Sequence, residues 1–160
     1  MLNFSQIFIE GMLLSIFFCI VIVGMLVYNP RLLLNDYPQS IRLSVPPKTS
    51  KETKLSKAIG APFAALLMIA PFISTLYCDE ISFMVAFLHP FLVFIIVSLV
   101  DLVVLDWLMF CFITPDFLII PGTKGMKDYK NYRFHFIAFL KGSVIYGVLC
   151  IIVAGIRMLI

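Results

Sequence analysis

Charge is the scarcest commodity in this chain: 13% of its 160 residues are charged, against 62% hydrophobic. Soluble domains carry about 25% charged residues, so a water-facing globular fold is excluded. The four cysteines, Cys19, Cys78, Cys111 and Cys150, stand far apart. No pair has metal-ligand spacing and no disulfide framework follows, so they read as reduced structural residues. Neither a nucleophile motif nor a Gly-rich phosphate loop occurs. No reaction is therefore named by motif, no metal or cofactor is implied, and nucleic acid is not an expected partner.

What the chain has is four apolar runs, at about 7–28, 59–77, 83–105 and 136–155. Crossing a hydrocarbon core takes about 20 apolar residues in a helix. Backbone groups find no partners in lipid, and these runs lack the alternation of a membrane barrel, so each is expected to be helical. The first run lacks the basic flank and small-residue cleavage site of a signal peptide and is read as a retained span. The expected fold is all-α: one integral membrane domain over 1–160, with four transmembrane helices as two hairpins, each with a long cytosolic connection.

The net charge of +3 averages over a polarised molecule. Arg31, Arg42, Lys48, Lys51, Lys54 and Lys57 lie between the first and second runs, and Lys124, Lys127, Lys130 and Arg133 between the third and fourth. Only Lys141 and Arg157 fall elsewhere. The other side carries Cys78-Asp79-Glu80 and an N-terminal segment without a basic side chain. Basic connections stay in the cytoplasm, which places both termini on the extracytoplasmic side of a plasma (inner) membrane.

Within the connections, 32–37 is expected to lie along the membrane surface, and Pro46-Pro47 to interrupt any helix before a polar lead into the second span. Pro121-Gly122-Thr123-Lys124-Gly125 reads as a turn. Gly60, Ala61, Ala64 and Ala65, and separately Ser143 and Gly147, have the spacing of close helix contacts in lipid. The combination of Asn35-Asp36-Tyr37-Pro38, Asp106-Trp107 and Ile120-Pro121-Gly122-Thr123 is specific, yet it names no reaction.

Ionisable groups near a membrane draw attention because they are costly there. Asp101 and Lys141 sit at matched depth near the cytosolic ends of their spans, and are expected to pair. Glu10 and Arg157 match near the opposite ends and are expected to form a structural clasp. His89 beside Pro90 reads as a packing histidine. Asp106 lies at the boundary, where Arg133 and His135 also arrive.

The middle of the bilayer is free of ionisable groups, which ranks an ion-coupled transporter protomer third. Two readings stand ahead of it. One is a site for an anionic amphiphile, a lipid headgroup or phosphate, at the cytosolic interface. Lys124 flanked by glycines and the planar fork of Arg133 would bind the anion. Asp106 and His135 are then the only acid–base pair nearby for any catalysis. The other is an accessory or assembly subunit with no site of its own. Expected partners are membrane lipids and further copies or a larger membrane complex.

Overall fold

The computed structural model describes residues 2–77 and 82–159; the Cys78-Asp79-Glu80 segment, expected on the outer side, lies outside them. The described chain is helical throughout and holds no strand among those residues. In order, α1 (Phe4–Tyr28) leads into a 3-10 helix (Pro30–Asp36), a short α2 (Gln39–Leu43) and α3 (Ser50–Leu76). Then come α4 (Phe83–Val100), a π-helical segment (Asp101–Ile113), two short 3-10 turns (Asp116–Leu118 and Lys127–Lys130) and α5 (Tyr132–Arg157). The α1, α3 and α5 helices, and α4 with its π-helical continuation, are each long and apolar enough to cross a membrane.

Polar caps carry these helices beyond their apolar runs. Thr49 and Glu52 form a reciprocal capping box that starts α3 well before residue 59. Asn3, Ser82 and Asn131 each accept a backbone N–H in the first turn of α1, α4 and α5.

The bundle is centred on α4, which packs between α1 and α5. Gly11 lets α1 approach so closely that a Cβ there would lie 2.8 Å from Ile96 Cβ. On the other side Phe94 stacks on Tyr146 with centroids 3.7 Å apart, and Phe91 lies over Gly147. The Tyr146 hydroxyl donates to the Leu67 carbonyl of α3, and Phe63 of α3 meets Phe18 of α1 at 4.7 Å. The row Phe63, Leu67, Pro71, Thr75, spaced four apart, is thus the face α3 turns inward. Gly60, Ala61, Ala64 and Ala65 lie off this row and are exposed. The small-residue face expected of this span is not buried within the chain.

The two connections depart most from expectation. Within 32–37, Asn35 and Asp36 stay exposed, while Leu32, Leu34 and Tyr37 turn inward, each at most 2% exposed. They join Leu26, Ile41, Phe110, Leu118, Ile120 and Tyr129, mostly in one core shared by both connections. The reason is polar satisfaction as much as burial. The Tyr37 hydroxyl donates to the Leu118 carbonyl at 2.8 Å, and the Tyr129 hydroxyl accepts the Ile120 N–H at 3.0 Å while meeting Thr123 Oγ1 at 2.6 Å. Gly122 and Gly125, with φ of +89° and +88°, turn the chain around buried Thr123.

Candidate functional site: an acidic cavity beside a basic one

The π-helical segment sets the site's geometry. Its hydrogen bonds join residues five apart, as in Thr114 N–H to Met109 carbonyl at 2.8 Å. Residues five apart consequently share a face, which an α-helix would splay. Asp101 and Asp106 are spaced in this way, and both line the same cavity. The segment ends at Thr114, whose φ of +49° is left-handed, followed by Pro115.

That cavity, of about 350 Å³, lies between α1, the 3-10 helix, the π-helical segment and the start of α5. Its polar lining is Asn35, Asp36, Asp101, Asp106 and His135; Phe18, Phe110 and Phe134 are among its apolar walls. His135 is 4% exposed, and its Nδ1 lies 2.9 Å from Asp106 Oδ1. Neutral imidazole then carries its proton on Nδ1, shared with the carboxylate, and leaves Nε2 as an acceptor. Nε2 is buried and has no hydrogen-bond partner. Asp36 and Asp101 make no ion pair or side-chain hydrogen bond among the described residues. Burial pushes the Asp36 carboxyl above its ordinary range; nearby Lys48 opposes this, Asp106 adds to it and His135 opposes it. A second cavity of about 230 Å³ shares Phe18, Asp101, Asp106 and Ala138 and continues past Leu67, Phe94 and Phe139.

On the far side of Asn35 lies a more open hollow of about 520 Å³ with the opposite charge. Arg42, Lys48 and Lys57 line it with the hydroxyl residues Thr53 and Ser56, against Leu34, Leu43 and Val45. Lys48 is half-buried, with Nζ donating to the Leu32 carbonyl and to Ser56 Oγ. Burial lowers its pKa, while Asp36 and Glu52 oppose the shift. Arg31 fixes one rim: it pairs with Glu52 at 2.8 Å and donates to the Pro46 and Pro47 carbonyls at 3.0 Å.

The residues singled out in the sequence fall differently. Asp106 and His135 meet. Lys124 pairs with Asp116 at 3.0 Å, with both side chains largely exposed, and Arg133 is exposed on the first turn of α5; neither lines the cavities above. Asp101 and Lys141 form no ion pair. The inward row of α5 runs through His135, Phe139, Gly142 and Tyr146, which leaves Lys141 on the exposed side. Glu10 is joined not to Arg157 but to His89 Nε2, at 2.9 Å, and accepts from Gln6 Nε2 at the same distance. The close α1–α4 approach at Gly11 brings that histidine within reach, so His89 is a hydrogen-bond partner of Glu10 as well as a packing residue. Arg157 donates to the Thr75 carbonyl at the end of α3.

Among the described residues no group of three His, Cys, Asp or Glu side chains is placed to hold a metal ion. The fold and site define a bundle of membrane-length helices capped at one end by two interlocked connections with adjoining cavities of opposite charge. Comparison with family models, curated proteins and solved structures gives no match.

Proposed function

We propose that this chain is a multi-pass protein of the plasma (inner) membrane that binds an anionic amphiphile, a lipid headgroup or another phosphate-bearing group, at its cytosolic interface. In this reading α1 with α3 and α4 with α5 are two hairpins of the same orientation, with both termini extracytoplasmic. The observation that carries it is the hollow in which Arg42, Lys48 and Lys57 converge beside Leu34, Leu43 and Val45. Cations over an apolar floor suit a phosphate borne on a hydrocarbon tail, and each basic group near an anionic leaflet contributes about 1 kcal/mol. Arg42 adds a planar donor fork, and Ser56 and Thr53 add hydroxyl donors. In this reading the binding cations come from the first connection, and Lys124 and Arg133 lie outside the lining of the hollow.

Native mass spectrometry with equal amounts of anionic and zwitterionic phospholipid tests this. The wild type should retain the anionic species selectively, and Arg42→Ala/Lys57→Ala should lose that selectivity while Lys124→Ala/Arg133→Ala keeps it. Loss only in the second pair would move the site to the second connection. Equal retention of both lipids by the wild type would leave the chain as an accessory subunit without a site.

A further inference from the structure

The basic hollow offers many donors and few acceptors. No Asp or Glu lines it; Asp36 and Glu52 act on Lys48 from outside the lining. Arg42 and Lys57 make no ion pair or side-chain hydrogen bond among the described residues. Thr53, Ser56 and Lys57 stand three or four apart on α3 and share one face of that helix. Elsewhere in the chain helical hydroxyls are engaged by their own backbone. Ser15, Thr114 and Ser143 each donate to the carbonyl four residues back. Thr53 and Ser56 do not, and neither hydroxyl donates to an acceptor among the described residues. Lys48 Nζ donates to Ser56 Oγ, which leaves the Ser56 proton for a further acceptor. At the rim, the Pro47 carbonyl already accepts from Arg31.

Such a lining selects a headgroup by the donors it lacks. A phosphodiester carries one charge, and its glycerol, serine or ethanolamine brings hydroxyl or ammonium donors that find little here to accept them. A phosphomonoester instead ends in three acceptor oxygens carrying about −1.5 to −2 near pH 7. We propose that the hollow recognises a terminal phosphomonoester, with Arg42, Lys48 and Lys57 as counter-ions and the hydroxyls of Thr53 and Ser56 as donors. This inference rests on the reading of the hollow as an anion site, and narrows it from any anionic amphiphile to one class. Three cations favour a doubly charged group over a singly charged one, because the second charge adds to every attraction. Arg42 comes from α2, Lys48 from the link that follows and Lys57 from α3, so the anion sits where three parts of the first connection meet. Leu34, Leu43 and Val45 give an attached hydrocarbon chain an apolar surface beside it.

Dodecyl phosphate and its methyl ester share a tail and a phosphorus and differ in one ionisable oxygen. Isothermal titration of the purified chain in non-ionic detergent at pH 7 compares them, with inorganic phosphate as the tail-free probe. Dodecyl phosphate is expected to bind about tenfold or more tightly than the methyl ester. Thr53→Val/Ser56→Ala should shrink that preference at least about threefold. Arg42→Ala/Lys57→Ala should abolish saturable binding of both esters, and Lys127→Ala/Lys130→Ala, an equal loss of charge outside the lining, should change neither. Inorganic phosphate binding as tightly as dodecyl phosphate would support phosphomonoester recognition with a water-borne source; weaker binding would support an amphiphile. Equal affinity for the two esters, lost for both in Arg42→Ala/Lys57→Ala, would overturn this inference and leave the anion site standing. A preference unchanged in Thr53→Val/Ser56→Ala would overturn it too. Saturable binding of neither ester would overturn the anion site itself. Arg42 and Lys57 are exposed, so their variant is expected to fold; thermal unfolding of the same samples checks all three.

Discussion

Asp36 keeps an exposed side chain on its 3-10 helix, yet its carboxyl is shifted towards the protonated form. Burial raises its pKa above the ordinary 3.8, and Lys48 offsets that only in part. A carboxyl with a raised folded-state pKa contributes stability that is fully present below its unfolded value and is lost as pH rises through the folded one. Because solvent screens this exposed group, Asp36→Asn, which cannot ionise, should raise the unfolding temperature in detergent only slightly at pH 7 and bring little gain at pH 4. An equal effect at both pH values, or a loss at pH 7, would show that the carboxylate is compensated as it stands. Of the polar residues at this end, Asp106 and His135 were legible as partners because their depths match along antiparallel spans. Asp36 was not. Its place depends on a 3-10 helix folding inward beneath Tyr37, a contact made with residues far along the chain.

At the scale of elements, helix number and approximate position follow from apolar length alone, whereas helix faces do not. All four runs are so uniformly apolar that no stripe marks the inward side. The small-residue spacing in α3 therefore named a face that stays exposed, while α3 turns inward at Phe63, Leu67, Pro71 and Thr75. The π-helical register of 101–113 was equally hidden, since nothing in Asp-Leu-Val-Val-Leu-Asp distinguishes five-residue from four-residue bonding. Yet it is this register that puts Asp101 and Asp106 on one face. The α1–α4 seam can be tested at one position. Gly11→Ala would drive a methyl against Ile96 Cβ, and is expected to cost about 1–3 kcal/mol in detergent unfolding. The same change at Gly147, where the nearest atom is Phe91 Cε2 at 3.4 Å, should cost less. If Gly147→Ala proves the more damaging, α1 does not pack on α4 as closely as described.

For the whole molecule, charge is sorted along the bundle axis. One end carries both connections, most of the basic side chains and both charged cavities, and the shared core of Tyr37, Leu118 and Tyr129 holds that end together. The proposed function needs that end to face the cytosolic leaflet, where anionic lipid attracts Lys and Arg. This orientation is the one expected from charge asymmetry in the sequence, while the interlocking of the two connections came only from the fold. Single cysteines at Ser50 and Lys127, both exposed at this end, provide the most direct measurement when Cys78 is first replaced by Ser. In intact cells neither position should react with a membrane-impermeant maleimide, and both should react after the membrane is opened. Labelling of either position from outside would place the charged cavities on the wrong face and contradict the account.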